Sequence, residues 1–270
     1  MVPQITAYTA DISVCSQICR LAIHEHGLSC VHVDIDIEGE MVNYEPWFVR
    51  IQPKMTVPAM KYDDTVLGDS KDILYFLARK HPEQQLYPAH RQAAIDNYIR
   101  AFYDNFGTIA AFTFAHWVRK SPQVKAFIAR GKNEQSIAKL KKLGEDPEFK
   151  QLAQQKLAKK LRWDMVRWAE SQDVDALDVR MGVMLRQMET DLADDRSFLL
   201  GEQYTLADVV GTAYCARIHF NKGEELFGPN VTAYWHRMKQ RPSFKDAYVC
   251  AEWEDSLMSK QVADFAAVES

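Results

Sequence analysis

The sequence offers a reactive thiol in residues 13–16, which read Ser-Val-Cys-Ser and lie between a predicted strand and a predicted helix. A cysteine at a helix N-terminus has its thiolate stabilised by free backbone N–H groups and by the helix dipole. We therefore predict that Cys15 has a lowered pKa and is a nucleophile, with Ser13 and Ser16 donating hydrogen bonds to a nearby sulfur anion. A helix-capping serine beside a buried cysteine is the alternative. Cys19, one turn further on, is interpreted as a buried structural thiol rather than a resolving cysteine.

Two further segments could bind the backbone and the head group of a small peptide. Val57-Pro58 directly precedes a predicted strand. Because proline lacks an N–H and tolerates the cis bond, a turn here can leave the N–H and C=O groups of Val57 free to pair with an extended ligand. An ordinary turn with no ligand is the alternative. Asp69 and Ser70 begin a later predicted helix, where a carboxylate, a hydroxyl and free N–H groups can bind an α-amino-acid head group. A simple N-cap pair is the alternative there.

The elements that would position these residues occupy the first 83 residues. Strand alternation and helical spacing of apolar residues predict seven elements in the order β-α-β-α-β-β-α. In chain order they are residues 4–8, 16–26, 31–37, 44–51, 59–62, 65–67 and a helix that runs from Ser70 to before Pro82. This order predicts a thioredoxin-like domain.

From about residue 90 the sequence predicts helices alone. Apolar residues recur at i, i+3 and i+4 spacing in segments 91–119, 148–170, 176–194, 206–220 and 230–240. The predicted domains are residues 1–83 and 90–255, followed by a tail at 256–270. The basic stretch 120–167 is interpreted as an insertion with a solvated helical face, and a partner-binding surface is the alternative.

Composition excludes several classes of function. A length of 270 residues favours two domains, and a net charge of -4 implies no general attraction to nucleic acid or to an anionic membrane. The low net charge therefore favours a small-molecule partner. Neither a membrane helix nor a signal peptide is predicted, so we expect a cytoplasmic location. The five cysteines lack paired CxxC spacing, so we expect neither a disulfide framework nor a metal site.

The three candidate segments, in this order and spacing, resemble those of the glutathione transferase superfamily. A fourth match is residues 198–208, FLLGEQYTLAD, which resembles that family's capping box, with Thr205 as N-cap and Asp208 three residues later. Within the superfamily the chain is similar to the tetrachlorohydroquinone reductive dehalogenases and to the zeta class. The segments that carry this second similarity are residues 13–22, 43–60, 207–218 and 234–244.

The resemblance implies a fold, a cosubstrate and a set of binding residues. It implies an α/β thioredoxin-like N-terminal domain plus an all-α C-terminal domain, the glutathione transferase fold, assembled as a homodimer. Ser13 and Cys15 would be the catalytic residues that meet the glutathione sulfur. Glutathione itself would be bound by Lys54, Val57, Pro58, Asp69 and Ser70.

The chain departs from its relatives in two places. Val14 stands where the zeta class has serine. Residues 133–194 resemble the ganglioside-induced differentiation-associated proteins, whose glutathione chemistry is uncertain. Those proteins lack the cysteine that stands here at position 15, so the sequence favours an enzyme.

The resemblance also implies an activity. It implies a glutathione transferase that uses glutathione as thiol nucleophile or reductant on an aromatic or quinone-like electrophile, with reductive dehalogenation or thioether cleavage through Cys15. A zeta-like cis-trans isomerase and a non-catalytic adaptor protein of the same fold are the alternatives. Candidates for the pocket of this small hydrophobic electrophile are Phe112, Phe114, His116, Trp117 and Tyr214. Of these, His116 and Tyr214 are the predicted substrate contacts.

Overall fold

The N-terminal part of the chain is a four-stranded sheet covered by helices. The computed structural model describes residues 3–194 and 196–269. The strands are β1 (Ile5–Thr9), β2 (Val31–Asp34), β3 (Ala59–Tyr62) and β4 (Thr65–Leu67), and the helices are α1 (Val14–Glu25), α2 (Pro46–Ile51) and α3 (Ser70–Lys80). The strand order is β2-β1-β3-β4, with β1 parallel to β2 and antiparallel to β3. The predicted thioredoxin-like order is confirmed.

Two element boundaries differ from the prediction for local reasons. Helix α1 begins at Val14 rather than at residue 16, because Ser13 takes the N-cap position. Strand β2 ends at Asp34 rather than at residue 37, because the chain turns around the Asp36 carboxylate. That carboxylate accepts the N–H groups of Glu38 and Gly39 at 2.8 Å each.

The rest of the chain is helical, as predicted. Its helices are α4 (Gln92–Asp104), α5 (Phe106–Lys120), α6 (Pro122–Ala126), α7 (Gln135–Leu143), α8 (Lys150–Leu161), α9 (Met165–Glu170), α10 (Val174–Asp191), α11 (Leu206–Lys222), α12 (Pro229–Lys239), α13 (Pro242–Asp246) and α14 (Leu257–Glu269). A π-helical segment, Phe127–Glu134, joins α6 to α7. The predicted helix 91–119 is divided at Asn105, whose side-chain amide donates to the Ala101 carbonyl at 2.7 Å and so caps the end of α4. Among the described residues, no helix is long and apolar enough to cross a membrane.

Helix α11 is the centre of the helical part and is buried along almost its whole length. The predicted capping box at its start is confirmed. The fully buried Asp208 carboxylate accepts the Thr205 N–H at 2.8 Å and the Leu199 N–H at 2.9 Å. The Leu206 N–H donates to the Leu86 carbonyl at 2.9 Å, so the start of α11 also bonds to the segment that links the two parts.

The basic insertion packs against the N-terminal part. Leu140, Leu143 and Phe149 bury their side chains against Met41 and Val49. Three ion pairs surround this contact: Lys132 with Glu38, Lys139 with Glu45, and Glu148 with Arg50. The predicted solvated face is confirmed for the outer side of α7 and α8, where Lys141, Lys142 and Lys159 are exposed, while the apolar side packs on the first domain.

The predicted tail contains α14, which returns to the first domain. Met258 and Val262 are buried in a cluster with Trp117 and Phe127. The Leu257 N–H donates to the Asp11 carboxylate at 2.7 Å. Helix α14 therefore covers the loop that leads into α1.

Candidate functional site

The N-terminal turn of α1 presents Ser13 and Cys15 and buries Ser16. Ser13 Oγ accepts the Ser16 N–H at 3.3 Å, and both Ser13 and Cys15 are partly exposed. Ser16 is fully buried, and its hydroxyl accepts the Ala10 N–H at 3.1 Å. Ser16 therefore stabilises the loop before α1 and does not face a ligand, contrary to the prediction.

Burial controls the ionisation of Cys15. It raises the pKa of the Cys15 thiol to about 11, while a hydrogen bond with the Ser70 side chain and the charge of Arg217 act in the opposite direction. The predicted lowering of this pKa is wrong for the free chain, because loss of hydration is the largest effect on the thiol and it disfavours the thiolate. Cys19 is fully buried, as predicted, and burial raises its pKa to about 12.

The Val57–Pro58 and Asp69–Ser70 segments, which were predicted to bind glutathione, have a cis proline and a helix N-terminus, respectively. The Val57–Pro58 peptide bond is cis, and Val57 is partly exposed just before β3. Asp69 is the N-cap of α3, and its carboxylate accepts the Lys71 N–H at 2.9 Å. The N-cap alternative is thus correct for Asp69, and it leaves the second carboxylate oxygen available to a ligand.

Ser70 links these segments to Cys15. Its side chain is buried and hydrogen-bonds to Tyr103, with 2.6 Å between the two hydroxyl oxygens. Ser70 also lies close enough to Cys15 to lower the pKa of its thiol. The Lys71 ammonium lies 5.7 Å from the centre of the Tyr103 ring. Sequence reasoning missed Tyr103, because nothing in the local pattern of α4 shows that this residue reaches the start of α3.

Gln52 holds the segment that contains Lys54. Its side-chain amide donates to the Gly68 carbonyl at 2.7 Å, and its oxygen accepts the Lys54 N–H at 3.4 Å. A Cβ on Gly68 would collide with this amide, so the close approach requires glycine. Lys54 itself is exposed, and its carbonyl accepts a hydrogen bond from Lys156 of α8 at 3.0 Å. The insertion therefore reaches the segment predicted to bind glutathione.

An apolar pocket of about 190 Å³ opens beside Ser13. Helix α5 supplies one side of its wall, including Phe106, Ile109, Phe114 and Trp117. Of the aromatic residues predicted to line a pocket, Phe114 and Trp117 do so. A pocket with apolar walls next to a candidate sulfur site suits a small hydrophobic electrophile.

The charged residues of this pocket are the buried ion pair of Lys132 with Glu38 and the side chain of Arg217. Arg217 is buried, and one of its Nη atoms donates to the carbonyl of Ile12, directly before Ser13. Its guanidinium also lies 5.5 Å from the centre of the Trp117 ring. Burial lowers the pKa of Arg217 to about 10, so the group stays charged at neutral pH. The signal for it in the sequence is a single cation in the apolar run ADVVGTAYCARI.

The two predicted substrate contacts lie elsewhere. Tyr214 is buried in the core, where its hydroxyl donates to the Met181 carbonyl at 2.7 Å. His116 lies in a separate cavity with Phe220 and Trp253, and its Nε2 is 3.1 Å from the Asp178 carboxylate. The structure therefore brings Ser13 and Cys15 together with Asp69 and Ser70, but it does not place His116 or Tyr214 in the pocket beside them. Helical spacing alone cannot tell which side of α5 or α11 faces the first domain.

Known proteins match both parts of the chain. Residues 12–80 match the family model for the glutathione S-transferase N-terminal domain, and residues 147–242 match the model for the glutathione S-transferase C-terminal domain. The tetrachloro-p-hydroquinone reductive dehalogenase of Sphingobium chlorophenolicum is 27% identical over 259 residues, which cover 94% of this chain and 100% of the dehalogenase.

Two solved structures share the fold over almost the whole length. The β-etherase LigF from Sphingobium sp. strain SYK-6 superposes with a TM-score of 0.70 at 20% identity, covering 92% of this chain and 99% of the etherase. A glutathione transferase homologue from Sulfitobacter, solved with bound glutathione, superposes with a TM-score of 0.60 at 19% identity and covers 91% of this chain and 96% of its own.

Proposed function

Because the chain belongs to the glutathione transferase superfamily, we propose that it is an enzyme that uses glutathione on an aromatic or quinone-like electrophile, and that Cys15 then cleaves the resulting glutathione thioether. The reaction would be a reductive dehalogenation or a thioether cleavage. Glutathione is the cosubstrate, first as a nucleophile and then as a reductant.

The observation that carries this proposal is the position of the first turn of α1 between two different surfaces. Ser13 lines the apolar pocket, whereas Cys15 lies beside Ser70, on the side predicted to hold the glutamyl end of glutathione. A glutathione sulfur at this turn would therefore lie between an apolar acceptor and a second thiol. The relative named for reductive dehalogenation spans 94% of this chain, which supports the same chemistry.

The first step is a displacement in the pocket. The glutathione thiolate attacks an electrophilic carbon, a carbon–sulfur bond forms, and the carbon–halogen bond breaks with release of halide. Ser13 stabilises the attacking thiolate by donating a hydrogen bond to it. The charge of Arg217, held beneath the loop by the Ile12 carbonyl, favours the anionic sulfur at the same place.

The second step uses Cys15. Its thiolate attacks the glutathione sulfur, a sulfur–sulfur bond forms, and the carbon–sulfur bond breaks with its electron pair left on the carbon, which takes up a proton. The carbon is reduced by two electrons, and the two sulfurs together are oxidised by two. A second glutathione then attacks the mixed disulfide, which releases glutathione disulfide and restores the Cys15 thiol.

Because burial raises the pKa of Cys15, the proposed second step also needs the groups that favour its thiolate, Ser70 and Arg217. At neutral pH the thiol must lose its proton before it can attack. The Ser70 hydrogen bond and the Arg217 charge both lower the pKa against the effect of burial. These two groups are therefore placed to assist the second step.

The adaptor alternative needs the basic insertion as a free surface. Lys132 and Lys139 instead pair with Glu38 and Glu45 of the first domain, and Phe149 is buried against it. The side of the insertion that carries Lys132, Lys139 and Phe149 is thus occupied by the first domain, which favours the enzyme.

The decisive experiment supplies the thioether directly. With preformed glutathionyl-hydroquinone and glutathione, the natural chain should release hydroquinone and an equal amount of glutathione disulfide. Cys15→Ser should lose this turnover, while the control Cys250→Ser should keep it. Ser13→Ala should keep it too, yet slow the conjugation of 1-chloro-2,4-dinitrobenzene. Full cleavage by Cys15→Ser would overturn the role of Cys15, and absence of both reactions in the natural chain would overturn the proposed function.

A further inference from the structure

Three side chains with metal-binding atoms converge at the far end of α1. His24 lies in the last turn of α1, Cys30 directly precedes β2, and His32 is the second residue of β2. The two imidazole Nε2 atoms and the Cys30 sulfur all lie within 4.8 Å of one another, and all three side chains are partly buried. This group is separate from the glutathione site, because Cys15 lies about 14 Å away along the helix axis at a rise of about 1.5 Å per residue.

We propose that His24, Cys30 and His32 bind a zinc ion, with a fourth position open to water. The proposal does not depend on the function proposed above. Two imidazoles and one thiolate are a donor set that zinc prefers, and three protein ligands with one open position is a known zinc arrangement.

The distances between the ligand atoms support this site. Zinc binds imidazole nitrogen at about 2.0 to 2.1 Å and thiolate sulfur at about 2.3 Å, so tetrahedral ligands lie about 3.3 Å apart for two nitrogens and about 3.6 Å apart for nitrogen and sulfur. Here the two Nε2 atoms are 3.2 Å apart, and the Cys30 sulfur is 3.1 Å from the His32 Nε2. The third distance, between the His24 Nε2 and the Cys30 sulfur, is at most 4.8 Å, so the three atoms reach zinc geometry with side-chain shifts of about an ångström or less.

The fold brings these atoms together for simple reasons. Residues 30 and 32 alternate along an extended chain and so present their side chains to the same face. Helix α1 packs on that face, and its last turn brings His24 onto His32 with the two rings stacked at 5.4 Å and 12°. The exposed Tyr248 ring meets the His32 ring edge-on, with 6.0 Å between the ring centres.

Hydrogen bonding alone does not satisfy this cluster. The His32 Nε2 contacts both the His24 Nε2 and the Cys30 sulfur, yet a ring nitrogen has either one proton or one lone pair to offer. A cation at the centre would satisfy all three converging atoms at once.

The surrounding charges are compatible with a cation. Arg20 is the nearby positive group, and its guanidinium is held by the carbonyls of Ala10, Asp11, Ala247 and Tyr248. The carboxylates of Asp246 and Asp34 raise the pKa of His24 and His32, respectively, whereas the charge of Arg20 lowers both. The two carboxylates therefore favour positive charge at this cluster. The sequence predicted no metal site, because it contains no paired CxxC and His24 is close to the Cys-x-His pair only in the fold.

Cobalt binding tests the site in the full chain. Metal-free protein titrated with Co²⁺ should develop a thiolate-to-cobalt charge-transfer band in the near ultraviolet and intense visible bands of four-coordinate cobalt, saturating at one ion per chain and disappearing when Zn²⁺ is added. His24→Gln, Cys30→Ser and His32→Gln should each abolish the band. The matched controls His90→Gln and Cys250→Ser should keep it.

A second measurement needs no variant. Alkylation of Cys30, followed by peptide mass spectrometry, should become at least tenfold slower when Zn²⁺ is present at saturation, while alkylation of Cys250 should not change. No thiolate band with the natural chain, a band that survives in Cys30→Ser, or equal alkylation of Cys30 with and without Zn²⁺ would overturn the proposal.

Discussion

The ionisation of Cys15 gives the sharpest test of how this site is built. Burial raises its pKa from an ordinary 9.0 to about 11. A shift of about two units means that, near pH 8, the thiolate fraction of Cys15 is about 100-fold smaller than that of an unperturbed thiol. We therefore expect Cys15 in the free chain to react with iodoacetamide about 100-fold more slowly than Cys15 in the unfolded chain, where hydration is restored.

The pH dependence separates ionisation from access. If burial only blocked the reagent, the rate would be low but would level off near pH 9. If burial raises the pKa, the logarithm of the rate should keep rising by one per pH unit up to about pH 10. Rates for Cys15 are measured by quenched alkylation and peptide mass spectrometry between about pH 6 and 10, with the unfolded chain in denaturant as the reference.

Two variants check the cause of the shift. Ser70→Ala removes the hydrogen bond that favours the thiolate, and Arg217→Met removes the favourable charge, so each should slow alkylation of Cys15 further. A rate for the natural chain that levels off at or below pH 8 would refute this reasoning. It would mean that the helix N-terminus dominates after all.

Three further predictions concern binding, assembly and stability. Asp69→Ala and Ser70→Ala should each weaken glutathione binding by about 1.5 to 3 kcal/mol, since a head group loses a charge-assisted hydrogen bond; unchanged affinity by calorimetry would limit both residues to structural roles. We expect a homodimer through the exposed face of α10, where Val183 is 57% exposed beside a groove shared with α4. Light scattering should show monomers for Val183→Asp and dimers for the control Val268→Asp, and a monomeric natural chain would contradict this. Asp208→Ala should lower the free energy of unfolding by about 2 to 5 kcal/mol, because two buried backbone N–H groups lose their acceptor; a loss below about 1 kcal/mol in urea titration would contradict it.

The local elements could be predicted from the sequence because their signals are local. Strands β3 and β4 lie where the hairpin pattern predicted them. The Thr205 and Asp208 box starts α11 as predicted, because both partners lie within one helical turn. The order of elements in the first domain and the family resemblance followed from the same short segments.

The partners of the site residues could not be predicted in this way. Tyr103 reaches Ser70 from α4, and Arg217 reaches the Ile12 carbonyl from α11, across separations that no local pattern reports. His116 and Tyr214 have polar rings that could contact a substrate, yet neither lines the pocket beside Ser13. His116 instead contacts Asp178, and Tyr214 donates to the Met181 carbonyl. The orientation of a helix is decided by everything that packs on it, so helical spacing leaves it open.

The sequence alone therefore determined the fold class, the family resemblance and the turn that presents Ser13 and Cys15. Only the tertiary structure decided the environment of that turn: it buries Cys15 and raises its pKa, and it places Ser13 on an apolar pocket. It also packs the basic insertion onto the first domain and brings His24 against Cys30 and His32. The physical reason is that backbone conformation follows from neighbouring residues, whereas hydration, charge and ligand geometry depend on residues far apart in the chain.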